Sequence, residues 1–153
     1  QQEALELITG PSQELGYSLE YYAPFVFDIA GYYPFFIQMA CAVLFEYVRS
    51  NESITDATFE RVKEEFLDEA KVHFQQIWDT CDDDQRDVFL RLCNREKIPN
   101  HQKYVLTNLI KEGYAKVKKN QSLVFSSLFE EFIRERYSAK MARKKKKFLF
   151  WSL

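Results

Sequence analysis

Ile29-Ala30-Gly31-Tyr32-Tyr33-Pro34-Phe35-Phe36-Ile37-Gln38 is the stretch that decides how the first half of this chain folds. It joins two apolar segments of helical spacing through one glycine and one proline. Gly31 can end the first helix in a left-handed conformation, and Pro34 is suited to the first turn of the next helix. The stretch therefore predicts a tight corner between two packed helices.

The composition indicates a folded, mostly helical protein. Of the 153 residues, 46% are hydrophobic and 16% aromatic, which is ample for a packed core in one domain or two small ones. Only four glycines and four prolines argue against a loop-rich or disordered chain. The cysteines at positions 41, 81 and 93 form no C-x-x-C pair, which favours buried free thiols in a reducing compartment.

The charge is divided between an acidic body and a basic tail. Residues 134–153 carry eight basic residues and one acidic residue, a net charge of +7, whereas residues 1–133 carry 13 basic and 22 acidic residues, a net charge of −9. The two parts therefore suit different environments. Since the chain opens with Gln1 and has no initiator methionine, we expect it to be a piece of a longer protein.

Helical spacing extends on both sides of the corner. Residues 3–8 predict the end of a helix that Thr9-Gly10-Pro11 stops, and residues 18–30 predict a second helix that Ser18 caps and that Pro24 kinks or starts. Residues 34–45 are apolar nearly all round, which predicts a central helix buried on every side but too short to span a bilayer.

Two further helices are predicted from their starting signals. Thr55 is a plausible cap for a helix of roughly 23 residues that ends near Trp78. Asp82 with Gln85 fits a capping box, and the aspartates at positions 82–84 suit a helix N-terminus better than a calcium loop, since no glycine turn or downstream glutamate accompanies them. A short helix then ends at Gly113.

The next segments predict a hairpin and a closing helix. Residues 114–118 and 123–126 alternate around a polar turn at 119–121, which is typical of a two-stranded β-hairpin. Ser127 with Glu130 fits a second capping box, and the helix it opens reaches Tyr137. Helix, turn, helix, hairpin, helix is the order of a winged helix-turn-helix, so the predicted fold is mainly α with this unit after a small helical bundle.

The corner also carries a resemblance. Residues 29–41 resemble the lid of P-loop ATPases of the AAA and STAND type, in particular the bacterial and archaeal AAA-like group with the motif G-G-H-P-[FY]-[FL]-[LI]-Q. Residues 66–78 are similar to the linker helix of that group, in which a winged helix follows. The resemblance spans residues 3–137. No G-x-x-x-x-G-K-[ST] occurs in the chain, so the resemblance implies that the P-loop domain lies before Gln1.

In that family the lid proline lies near the adenine of the bound nucleotide. Gly31 and Pro34 match the motif, which implies an adenine-side contact made together with the missing P-loop domain, with ATP and Mg²⁺ as cofactors of the intact parent and none in this chain. Tyr32 and Tyr33 depart from the motif, because they replace the second glycine and the histidine. The alternative for these residues is a plain helix corner.

Nothing in the sequence predicts a catalytic or metal site. His73 and His101 are far apart, and neither has a cysteine or histidine three or four residues away. We therefore predict no enzymatic activity for the chain alone, and no metal.

The predicted organisation is a helical lid-like subdomain at 1–54, a connecting helix at 55–80, a winged-helix domain at 81–138 and a basic-aromatic tail at 139–153. The predicted function is a non-catalytic regulatory fragment of a cytoplasmic P-loop ATPase. It would couple the nucleotide state to contacts with its own ATPase domain or with another protein.

Two alternatives remain open. The first is a DNA-binding winged-helix regulator, in which the short helix that ends at Gly113 would be the recognition helix. The acidic body and the absence of arginine from that helix weigh against it. Its phosphate contacts would come from Lys103, Asn108, Lys111, Lys116, Lys118 and Lys119, with His101 and Gln102 beside them. The second is a membrane-adjacent interaction module held on an anionic surface by the tail. Its membrane contacts would come from Lys144, Lys145, Lys146, Lys147 and Trp151.

Overall fold

The fold is mainly helical with one two-stranded antiparallel sheet, which confirms the predicted fold class. The structure, a computed structural model, describes residues 1–14, 18–50 and 53–152, without the side chains of 12–14, 138–145 and 148. The helices are α1 (Gln2–Glu14), α2 (Ala23–Ala30), α3 (Pro34–Arg49), α4 (Asp56–Thr80), α5 (Asp83–Cys93), α6 (Lys103–Lys111) and α7 (Ser127–Trp151), with 3₁₀ turns at Glu20–Tyr22 and Asn100–Gln102. The strands are β1 (Ala115–Lys118) and β2 (Gln121–Val124).

The chain forms two compact units. The first unit consists of Gln1–Gln76 together with Phe125–Leu128, and the second unit consists of Ile77–Val124 and Phe129–Leu153. The long helices α4 and α7 therefore each contribute residues to both units. The short segment 125–128 belongs to the first unit although the hairpin immediately before it in the chain belongs to the second.

The first unit is built around an aromatic cluster. Both α1 and α2 pack against α3. The ring of Phe36 on α3 lies 5.2 Å from that of Phe74 and 6.3 Å from that of Phe66, both on α4, and it stacks 5.7 Å from the ring of Phe125. All four side chains are buried. Large flat side chains that bury this much area dominate the energetics of a small core.

Two features of the first unit differ from the prediction. Helix α1 continues through Gly10 and Pro11 to Glu14, because the packing of Ala4 and Ile8 outweighs the poor helix propensity of those two residues. Helix α3 is buried along one face only, and Phe35 on its other side is exposed. An apolar surface all round a helix does not by itself enclose the helix, since apolar atoms are common on protein surfaces.

The second unit uses local capping at its helix ends. Asp82 and Gln85 form the predicted capping box, with the backbone N–H of Gln85 donating to Asp82 Oδ1 over 2.8 Å and the N–H of Asp82 donating to Gln85 Oε1 over 2.9 Å. At the end of α6, Gly113 has φ +85° and the N–H of Tyr114 donates to the carbonyl of Leu109, which is a Schellman ending.

The predicted hairpin is present, with Ala115 opposite Val124 and Lys118 opposite Gln121. Its turn consists of two residues, Lys119 and Asn120, with φ +50° and +61°. Positive φ at both central residues is the signature of a type I′ turn, whose twist matches that of the strands. The hairpin is therefore defined by its own turn chemistry.

The closing helix differs from the prediction at both ends. Helix α7 begins at Ser127 itself, so Ser127 is not the cap, and Glu130 instead accepts hydrogen bonds from Arg95 and Arg134. Its end lies at Trp151, well beyond Tyr137. The extension is reasonable because the tail contains neither glycine nor proline and is rich in lysine and arginine, which are good helix formers.

Candidate functional site

The corner at Gly31 is the centre of the candidate site. Helix α2 ends at Ala30, Gly31 has φ +63°, and Pro34 is the first residue of α3, as predicted. A Cβ atom on Gly31 would lie 2.7 Å from the backbone oxygen of Phe125 and 2.9 Å from its Cδ2. Real Cβ atoms do not approach other atoms so closely, so both the backbone angle and the space require glycine here. The segment that fills this space is Phe125 itself.

The segment 125–128 is held to the end of α2 by two hydroxyl groups. The buried Ser126 hydroxyl donates to the carbonyl oxygen of Ile29. The Ser127 hydroxyl donates to Asp28 Oδ2 over 2.7 Å. Sequence reasoning missed this contact, because 97 residues separate Ser126 from Ile29 and no local pattern links them. The only available signal was a glycine at a corner, which indicates that something approaches closely.

An aromatic surface flanks the corner. Pro34 is exposed, and so are Tyr32 and Phe35 on either side of it. The Tyr32 hydroxyl accepts a hydrogen bond from Gln1 Nε2 over 2.9 Å, and the Phe35 ring lies 4.6 Å from the ring of His73. Exposed aromatic rings can contact a planar ligand such as a nucleobase through their faces. Gly31 itself is buried beneath this surface.

Tyr33 turns the other way. Its ring is half-buried, 5.6 Å from that of Phe36 and 6.3 Å from that of Phe125. The two tyrosines that replace the motif glycine and histidine therefore play different parts, one on the surface and one against the aromatic cluster.

The candidate nucleic-acid residues lie on α6 and the hairpin. The side chains of Lys103, Asn108 and Lys111 are exposed on α6, as are those of Lys118 and Lys119 on the hairpin, while Lys116 is half-buried. The expectation for Gln102 was wrong.

Gln102 is buried, and its Nε2 donates to Asp87 Oδ2 over 2.8 Å, while Asp87 also accepts from Arg91 Nε over 2.9 Å. The amide thus belongs to an internal polar network next to α6 and is not available to a phosphate. A polar residue at the start of a helix has no pattern that distinguishes these two environments in sequence.

The candidate membrane residues lie at the end of α7. Lys146 and Lys147 are exposed, and Leu149, Phe150 and Trp151 form an exposed apolar tip, with Phe150 and Trp151 exposed by 81% and 85%. The side chains of Lys144 and Lys145 lie outside the described residues. Among the helices described, none combines the length and the apolar character that crossing a bilayer requires.

The cysteines do not offer reactive thiolates. Burial raises the pKa of Cys41 and of Cys81 to about 11 and that of Cys93 to about 12, so all three thiols are protonated at neutral pH. Within the described part of the chain, no group of three possible metal ligands comes together.

Comparison with known families identifies the first part of the chain. Residues 1–97 match the family model described as Novel STAND NTPase 2 (nSTAND2). No curated protein and no solved structure matches the chain. The matched region includes the corner, the aromatic cluster on α3 and α4, and the capped helix α5. Because the match covers more than half of the 153 residues, this chain belongs to the Novel STAND NTPase 2 family.

Proposed function

We propose that this chain is the regulatory part of a STAND-type NTPase, a helical lid followed by a winged-helix domain, and that it passes the nucleotide state of the enzyme on to a partner. The lid is residues 1–54, the connecting helix 55–80 and the winged helix 81–138. The family match supports the NTPase context. By itself the chain does not hydrolyse ATP, since it contains no phosphate-binding loop sequence.

One observation carries the proposal: the backbone of Phe125 lies directly on Gly31. Phe125 follows Val124, the last residue of β2, and precedes α7. Any change in the corner that displaces Phe125 must therefore move the chain that leads out of the hairpin and into a 25-residue helix. A nucleotide that contacts Pro34 would act on that connection by favouring one position of the corner over another.

The direct ligand contact in this proposal comes from Pro34 and the exposed rings beside it. Gly31 contributes shape, because its buried position leaves no room for a ligand atom. ATP and Mg²⁺ would be held by the P-loop domain of the same protein, and the lid would close on the adenine side. The partners are then that domain and the protein that the winged helix contacts.

The test is a pair of matched substitutions in the full-length NTPase. Pro34→Ala removes the exposed ring at the start of α3, whereas Pro24→Ala makes the same change at the second residue of α2, where the proline is also exposed. We expect Pro34→Ala to weaken ATP binding about threefold to tenfold, the equivalent of losing the apolar contact of about one methylene group. Pro24→Ala should have no effect.

Two readouts separate binding from coupling. ATP affinity and hydrolysis rate report the contact, and hydrogen exchange at residues 115–124 with and without nucleotide reports its transmission. In the parent enzyme we expect nucleotide to change exchange in the hairpin, and Pro34→Ala to reduce that change. Unchanged affinity and hydrolysis in Pro34→Ala would refute the lid role, and a gene sequence without a P-loop upstream of Gln1 would refute the NTPase context.

The exposed apolar tip of α7 favours a second candidate, attachment to an anionic membrane surface. Lysines followed by an exposed Trp151 suit the interface between lipid headgroups and acyl chains. Co-sedimentation with phosphatidylserine vesicles should fall when Lys146 and Lys147 are changed to glutamine. The matched change at Lys118 and Lys119 should leave it unaltered, and equal binding to neutral vesicles would count against this role.

A further inference from the structure

The second unit contains a groove of about 450 Å³ that the proposed coupling does not use. It lies between α6, the turn that follows α5 and the tip of the hairpin, which contributes Gln121. Its floor is apolar and is formed in part by Ile98, Leu106 and Ile110. Ile110 is 37% exposed, so the floor is open to solvent. An open apolar floor in a concave site is what a partner's apolar side chains can fill.

The rim of the groove is positively charged. Lys97 and Lys103 line it, both are exposed, and neither ammonium group pairs with another described residue. Glu96 is the one acid among the described lining residues, and its carboxylate already accepts a hydrogen bond from Arg91 Nη1 over 3.3 Å. The groove thus presents uncompensated positive charge in the second unit, which carries 17 basic and 10 acidic residues. Positive charge beside an apolar floor selects acidic partners.

We propose that this groove binds a short acidic segment of another protein, with apolar side chains of the segment on the floor and its carboxylates at Lys97 and Lys103. The floor argues against DNA, because a phosphodiester backbone has nothing apolar to place on it. A duplex would meet the outer surface of α6 at Asn108 and Lys111 and the hairpin at Lys118. This inference rests on the proposed function, in which the winged helix contacts a partner protein. It specifies that the partner presents an acidic segment with apolar side chains.

The groove can be tested on the chain alone by NMR of methyl groups. The probes are a peptide of repeated Glu-Leu-Leu-Glu units, a matched peptide of Gln-Leu-Leu-Gln units, polyglutamate and a short random-sequence DNA duplex. We expect the acidic, apolar peptide to shift the methyl resonances of Leu106 and Ile110 at the lowest concentration. Changing both Lys97 and Lys103 to glutamine should weaken its binding about fivefold to tenfold, as two partly exposed ion pairs would.

The matched control changes Lys111 and Lys118 to glutamine, which removes the same charge outside the groove and should alter peptide binding less than about twofold. Ile110→Gln should weaken the acidic peptide but not polyglutamate. Three results would overturn the proposal. Polyglutamate and the peptide could bind equally well, or no probe could shift any resonance. DNA could also bind more tightly than the peptide and lose that binding when Lys111 and Lys118 are changed. So would shifts that depend only on protein concentration, since a second copy would then fill the groove.

No nucleotide is present in this experiment. A negative result for peptide binding in the groove therefore says nothing against the proposed nucleotide coupling at Pro34. Failure of Pro34→Ala to change ATP binding likewise leaves the groove result standing.

Discussion

The two units of this protein make their sharp turns by different means. In the second unit, the ends of α5 and α6 and the tip of the hairpin are stabilised by hydrogen bonds and backbone angles within a few residues. In the first unit, the corner at Gly31 is defined by Phe125, which lies far away in sequence. One kind of turn is local and the other depends on a long-range contact.

The difference shows where a conformational change in one segment can alter a distant segment of the chain. A capping box or a type I′ turn depends on its own residues and tolerates change elsewhere. The Gly31 corner, in contrast, lies in contact with the segment 125–128, which is about a hundred residues away in the chain. The proposed function uses this long-range contact to transmit a signal, and the contrast between the two kinds of turn leads to the following predictions.

The largest effect is expected for Gly31→Ala. The φ of +63° and the overlap with Phe125 should together cost about 2–5 kcal/mol of unfolding free energy. The control is Gly10→Ala, which lies inside α1; apart from its chain neighbours and its own helix backbone, no described atom lies within 4 Å of the new Cβ. This change should stabilise the chain by about 0.5–1 kcal/mol. Urea denaturation followed by circular dichroism measures both. A Gly31→Ala protein as stable as the parent would disprove the contact with Phe125.

The next effect concerns one thiol in each unit, that of the half-buried Cys41 and that of the buried Cys93. Burial raises the pKa of Cys41 to about 11 and that of Cys93 to about 12, above an ordinary value of 9.0. At pH 8 we expect both to react with a disulfide reagent about tenfold or more slowly in the folded chain than in urea.

The same shifts predict the direction of the pH dependence. Because the folded pKa is raised, the thiols stabilise the fold fully below pH 9, and this contribution is lost as the pH rises towards 11 and 12. The urea midpoint should therefore fall above pH 9, and less so when Cys93 is replaced by alanine. Rapid reaction of Cys93 at pH 8 would mean that the second unit opens easily.

A smaller effect is expected at the capping box. Asp82→Ala removes the side chain that accepts from the backbone N–H of Gln85, and it should cost about 1 kcal/mol. Asp84→Ala, in the first turn of the same helix, should cost only a few tenths of that, since it loses a weak interaction with the helix dipole. Equal losses at the two positions would show that charge, and not the cap, stabilises the start of α5.

The smallest effect is expected at the hairpin turn. Replacing Lys119 and Asn120 by asparagine and glycine supplies the preferred residues for two positive φ angles, and it should stabilise the chain by about 0.5 kcal/mol. Lys118→Asn is the control, because Lys118 lies in the strand, where asparagine is disfavoured. Thermal unfolding compares the two. Destabilisation by the turn replacement would contradict a type I′ turn.

Most of the secondary structure could be predicted because its signals are local. The start of α3 at Pro34, the cap at Asp82, the end of α6 at Gly113 and the hairpin all depend on residues close together in the chain. Where a long-range contact decided the outcome, the prediction failed or was silent. Helix α1 continues through Pro11 because its apolar face packs on a neighbour, which outweighs local propensity.

The residues of the candidate site could be predicted from the sequence, but their contacts could not. Gly31 and Pro34 could be identified from the corner, and the basic residues of α6 and the hairpin from their charge. The sequence did not predict that Phe125 packs against Gly31, and it did not predict the groove beside Lys97 and Lys103. It also missed the burial of Gln102. Each of these depends on which side chains the fold brings together from separate helices and strands.

The sequence by itself therefore determined the order of the helices, the hairpin, the corner and the division of charge, since spacing, caps and turn residues act over a few positions. The tertiary structure alone decided what lies against the corner and which lysines share a groove. The physical reason is that packing is chosen by the whole chain at once: 97 residues separate Ser126 from the carbonyl of Ile29 to which it donates.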